Sequence, residues 1–136
     1  SGFALKKNGF KSIDGLDLSE EMLKIAEQKK IYQSLFNFDL NNPTDFNHKY
    51  DAIIAAGVIS PKHANPDTII SSYSMLKKKG LMIFSINDHA FNDSLFFSSI
   101  NKIIQNSNFI LLDQIYGDHI KVLNIKSSIF VLQKSN

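Results

Sequence analysis

The chain has no cysteine, so disulfides, thiolate metal sites and a cysteine nucleophile are excluded. It has no arginine either; every basic residue is a lysine. Arginine is the usual bidentate reader of phosphate and of guanine edges, so specific nucleic-acid recognition is not expected. Charge of one sign is scarce: the net charge is +2, and the lysines are scattered apart from Lys77-Lys78-Lys79. No apolar run is long enough to cross a bilayer. No signal peptide is visible, and a cytoplasmic location is expected. There is no Walker motif and no Gly-x-Ser-x-Gly elbow, and Gly2 and Gly9 are too isolated to form a phosphate loop. His48, His63, His89 and His119 are dispersed without metal-ligand spacing, so no zinc site is expected. What is there is a 43% hydrophobic content over 136 residues, which argues against disorder and suffices for one domain with a real core.

The order of elements can be read from pattern. Residues 2–7 look like the tail of an amphipathic helix, stopped by Asn8-Gly9. A strand follows at about 12–18, then a helix at about 20–30 with Ser19 as N-cap and Glu20 and Glu21 in its first turn. A second strand spans Ser34 to Leu40 and is broken by Asn41-Asn42-Pro43. Tyr50 to Val58 is almost continuously apolar and predicts a central parallel strand buried on both faces. A polar loop with Pro61 and Pro66 leads to a helix at about 67–78, with Lys77 to Lys79 at its negative end and Gly80 as its cap. Leu81 to Ile86 is the next strand, and a helix covers about 92–106. Phe109 to Ile115 and Ser128 to Gln133 read as strands with no helix between them, so they are expected to be antiparallel. The alternation predicts an α/β three-layer sandwich.

Asp17 is the most informative residue. It closes a short apolar strand and a helix starts at once behind it. In open parallel α/β sheets, a carboxylate there can accept hydrogen bonds from both ribose hydroxyls of a nucleoside cofactor. The plainer alternative is helix capping, since Asp17-x-x-Glu20 has the form of a capping box. Asp39 can be an ordinary turn residue and Gly57 a strand terminator, or both can line a site, because ligands in such sheets bind at the carboxyl ends of strands. His63 and His89 follow the strands Tyr50 to Val58 and Leu81 to Ile86, but a lone loop histidine is more often solvated than catalytic.

The chain resembles the class I S-adenosylmethionine-dependent methyltransferases, and most closely the small methyltransferase-like group named after the Williams–Beuren syndrome region. The resemblance rests on Gly9 to Met22 (GFKSIDGLDLSEEM), Tyr50 to Ser60 (YDAIIAAGVIS), Leu76 to Ile86 (LKKKGLMIFSI) and the closing strand Ser128 to Gln133. It implies a Rossmann-like fold with an antiparallel C-terminal strand and S-adenosylmethionine as cofactor. By the same resemblance Asp17 holds the ribose, and Leu18 flanks the adenine with Met22 nearby. Asp39, followed by Leu40, meets the adenine amino group, and Ala56 and Gly57 line the methionine part. The resemblance assigns no catalytic residue. The family's first strand and its Gly-rich turn are not among these residues, so residues 1–136 read as a single, N-terminally truncated domain. The expected partner is a small-molecule acceptor, with no nucleic acid and no membrane; the oligomeric state stays open. A nicotinamide-dependent oxidoreductase would also place an acid at the end of the second strand, but in an all-parallel sheet. A methyltransferase-like binding module without activity is the third reading.

Overall fold

The computed structural model describes residues 2–41, 49–120 and 124–135. The Asn42-Pro43 part of the expected strand break and His48 lie outside them, as does the side chain of His119. The chain divides into two compact units, Ser1–Leu40 and Asn41–Asn136.

In the first unit, α1 (Gly2–Lys7) stops where expected. Gly9 takes φ +92°, its N–H reaches Lys6 O, and Phe10 N–H reaches Leu5 O. Glycine adopts that left-handed turn without the Cβ clash other residues meet. Strands β1 (Asp14–Asp17) and β2 (Ser34–Asn37) pair in parallel from Asp14↔Ser34 to Asp17↔Asn37. Between them runs α2 (Glu20–Gln28), whose N-cap Ser19 accepts a hydrogen bond from Met22 N at 3.3 Å. Glu20 and Glu21 lie in its first turn, where the helix dipole favours negative charge.

The second unit carries β3 (Tyr50–Ala55), α3 (Thr68–Met75), β4 (Leu76–Asn87), the short α4 (Asp88–Phe91), α5 (Ser94–Asn106), β5 (Phe109–Ile120) and β6 (Ile125–Lys134). Its sheet has the order β3-β4-β6-β5. β3 and β4 are parallel, and β6 runs antiparallel to both β4 and β5. The reversal follows from the short link between β5 and β6, which cannot hold a crossover helix. Among the described residues, β1 and β3 each pair with a strand on one side only.

Helices α3, α4 and α5 share one hydrophobic core with the sheet. Ile69, Met75, Ala90 and Ile100 pack with Met82, Phe84, Ile86, Phe130 and Leu132. The rings of Phe84 and Phe130 stack at 5.1 Å across the β4–β6 pair. The face opposite carries exposed aliphatic side chains. Ile54, Ile110, Ile115 and Ile129 are all more than a third exposed. The expectation that Tyr50 to Val58 is buried on both faces is therefore corrected: Ile53 and Ala55 point into the core, while Ala52 and Ile54 are exposed.

A second correction concerns α3, which ends at Met75 rather than near residue 78. Pairing of Leu76 with Tyr50 draws the following residues into β4, and tertiary pairing outweighs the helical pattern. Lys77 then pairs with the Asp51 carboxylate at 2.9 Å instead of lying at a helix end. Gly80 is a buried strand residue, not a cap. The cation at the end of α3 comes from β6. Lys134 Nζ donates to Tyr73 O at 2.8 Å and to Leu76 O at 2.9 Å.

Candidate functional site

Hydrogen bonds between the ends of β1 and β2 fix the first group of candidate residues. Phe38 N–H reaches Asp17 O at 3.0 Å, and Asn37 Nδ2 donates to Leu18 O at 2.9 Å. Asp17, Leu18, Met22, Asp39 and Leu40 consequently share the carboxyl rim of the two-stranded sheet. Asp17 is half-buried, with Oδ1 accepting from Ser19 N at 2.9 Å. This is an Asx turn that holds the carboxylate in place. The N-cap of α2 is Ser19, so the capping-box role for Asp17 is set aside. Oδ2 of Asp17 has no protein partner among the described residues. Beside it the apolar side chains of Leu18 and Met22 are 63% and 50% exposed. A fixed carboxylate with one oxygen available can accept hydrogen bonds, and the exposed apolar side chains beside it offer an apolar surface. Asp39 and Leu40 are half-buried.

In the second unit, Ala56 and Gly57 follow the last residue of β3 and are exposed. Gly57 has φ +71°, a conformation that glycine adopts freely. Its N–H is held by Ser85 Oγ at 2.9 Å. Further along, Tyr116 OH meets both oxygens of Asp88 at 3.1 and 3.3 Å, beyond the carboxyl end of β4. Although Tyr116 is 60% exposed, local desolvation and, more directly visible, the hydrogen bond to the Asp88 carboxylate hold its hydroxyl above the usual tyrosine range. His63 and His89 are exposed, and His63 N–H closes a turn onto Ser60 O. Among the described residues, no cluster of His, Asp or Glu could hold a metal ion. Hollows lined by Tyr32, Gln33 and Leu35, and by Phe10, Lys11 and Ile31, contain none of the candidate residues.

Sequence reading missed Ser85, Asn37 and Asp88. For Ser85 a signal existed, since it is the lone polar residue in Leu81-Met82-Ile83-Phe84-Ser85-Ile86. Asn37 and Asp88 are polar residues at strand ends and look like ordinary turn formers.

The four-stranded sheet of the second unit, with β3 and β4 parallel and β6 reversed, departs from the all-parallel dehydrogenase pattern, and the β1-α2-β2 unit of the first carries an acid, Asp17, at the end of β1. Residues 3–132 match the family model described as a methyltransferase domain, and the chain belongs to that family. A Bacillus subtilis (strain 168) protein assigned as a methyltransferase, YqeM, is 30% identical over 104 residues. That alignment covers 68% of this chain and 42% of the relative, so the chain spans under half of that protein's length. A Methanosarcina mazei structure described as a SAM-dependent methyltransferase superposes with a TM-score of 0.75 at 10% identity, covering 97% of this chain and 85% of that one. The [4+2]-cyclase SpnF superposes at 0.69 with 12% identity, covering 97% and 69%. The fold is the Rossmann-like methyltransferase fold with its antiparallel C-terminal strand.

Proposed function

We propose that this chain binds S-adenosylmethionine and belongs to an enzyme that transfers its methyl group to a small-molecule acceptor. The observation that carries the reading is Asp17: a carboxylate fixed through Oδ1 at a strand's carboxyl end, with Oδ2 open beside exposed Leu18 and Met22. In this reading Asp17 accepts from the ribose hydroxyls, Leu18 and Met22 cover the adenine, and Asp39 with Leu40 meets its amino edge. Ala56 and Gly57 face the methionine part. When bound, the cofactor supplies a reactive sulfonium methyl. The chain's residues then have to bind, orient and exclude water, and positioning of that kind lowers a barrier by several kcal/mol. This accounts for the lack of any need for a nucleophile among the named residues. The likeness of Gly9 to Met22 and Tyr50 to Ser60 to the Williams–Beuren group supports that narrower kinship. A cytoplasmic location completes the proposal. Among the described residues no helix is long and apolar enough to cross a membrane.

The test is isothermal titration of the full-length protein with S-adenosylhomocysteine. Asp17→Ala is expected to weaken binding about 10- to 100-fold, the loss of a hydrogen bond to a charged group. Unchanged affinity in Asp17→Ala removes the main support. Tight binding of a nicotinamide dinucleotide instead would turn the reading to an oxidoreductase. The likeness to SpnF favours a second reading, since the same fold serves a cyclase. Cofactor binding without methyl transfer to any acceptor would support that reading or a binding module.

A further inference from the structure

β4 is aliphatic or aromatic from Leu81 to Ile86 except at Ser85, which is 7% exposed. A buried hydroxyl in such a strand costs free energy unless it is hydrogen-bonded. Its partner is Gly57 N–H at 2.9 Å. Backbone pairing between β3 and β4 stops at Ala55↔Phe84. The Ser85 hydroxyl therefore extends the tie beyond the last backbone pair and reaches the chain just where it turns at φ +71°. From this geometry we infer that Ser85 is a positioning residue, whose hydroxyl holds the Ala56–Gly57 turn in the shape the cofactor's methionine end needs. The inference rests on the reading of Ala56 and Gly57 as part of the cofactor site and deepens it. Serine oxygen can accept the amide proton, and alanine cannot. Threonine keeps the same oxygen on the same carbon, and its branched side chain suits a strand.

Two readouts on the full-length protein separate this role from general stability. Binding of S-adenosylhomocysteine is measured by titration calorimetry, and protection of the Gly57 amide by hydrogen exchange without ligand. Ser85→Ala is expected to weaken binding about tenfold and to speed exchange at Gly57, the cost of one lost hydrogen bond. Ser85→Thr is expected to restore both. Wild-type affinity in Ser85→Ala, with unchanged protection at Gly57, would overturn the inference and leave the cofactor reading standing. If the wild-type protein itself does not bind S-adenosylhomocysteine, the cofactor reading falls and the inference falls with it. Should Ser85→Ala fail to fold, Ser85→Cys makes the same comparison, because sulfur is a weak acceptor of similar size. Weaker binding by that variant supports the inference, and equal binding overturns it.

Discussion

Lys134 illustrates how one side chain can do two jobs at once. It is 2% exposed, donates to two carbonyls at the end of α3, and lies 4.2 Å from the centre of the Tyr73 ring. It places a cation where the helix dipole is negative. Lys134→Met keeps most of the volume but leaves Tyr73 O and Leu76 O without this donor. It is expected to lower stability by about 1–3 kcal/mol, read from urea midpoints. Burial also pushes the Lys134 ammonium below its ordinary value of 10.5. Just below 10.5 the unfolded chain then holds more protons than the folded one. Stability contributed by this group rises with pH across that window and is complete above 10.5. Lys134→Met should abolish that rise. Tyr116 works in the opposite sense. Its hydroxyl is raised above 10.0, so its contribution is present below 10.0 and is lost as pH climbs through the folded value. Phenolate absorbance should place the Tyr116 midpoint above that of an ordinary tyrosine, with Tyr116→Phe identifying its transition. Asp88→Asn should bring it down, because, besides local desolvation, the hydrogen bond to Asp88 and its charge both hold it up. A full return to the ordinary value would assign the whole shift to Asp88.

At the scale of elements, the sequence was readable where a local signal and the tertiary structure agree. Ser19 with Glu20 and Glu21 marked the start of α2, and Asn8-Gly9 marked the end of α1. The absence of a helix-length segment between Phe109 and Ser128 was enough to reverse the last strand. The end of α3 was not readable, because Lys77 to Lys79 make a good helix terminus by themselves. What decides it is Leu76 pairing with Tyr50 and the arrival of Lys134, contacts to residues far away in the sequence. α4 was missed for a related reason: four residues, Asp88–Phe91, give no periodicity, and the Asn87 side chain that caps them looks like a turn former. β3 read as buried on both faces because its composition is apolar throughout. Composition does not reveal which face a helix will cover, and α3, α4 and α5 all join the core on the same side. The candidate site divides in the same way. Asp17, Asp39 and Gly57 were legible from their positions at strand ends. Asn37 and Ser85, which grip the backbone of Leu18 and Gly57, act across strands; Asn37 looks like an ordinary turn former, and the lone hydroxyl of Ser85 in an apolar strand marks a polar partner without saying which.

For the molecule as a whole, the two units differ in how their strands are secured. β4 and β6 each have a neighbour on both sides, and their inward residues Met82, Ile86 and Leu132 are fully buried. Among the described residues β1 and β2 pair with each other alone, and the first unit leaves Phe3, Phe10, Leu18, Met22 and Ile25 more than 40% exposed. Local opening needs least free energy where few apolar contacts must break, so protection should be graded rather than uniform. Native-state hydrogen exchange is expected to find the amides of Met82, Phe84 and Leu132 opening only with global unfolding. The amides of β1 and β2 should exchange at least tenfold faster through a smaller opening. If S-adenosylhomocysteine binds at the rim carrying Asp17, saturating ligand should slow exchange in β1 and at the start of α2 by far more than in β6. Ligand that binds the folded form alone stabilises it by mass action, and a local site protects first the segment whose opening destroys it. Equal protection of β1 and β4 in the free protein would mean that the smaller sheet is as firmly held as the larger. It would then have to be secured by something other than the packing described for it.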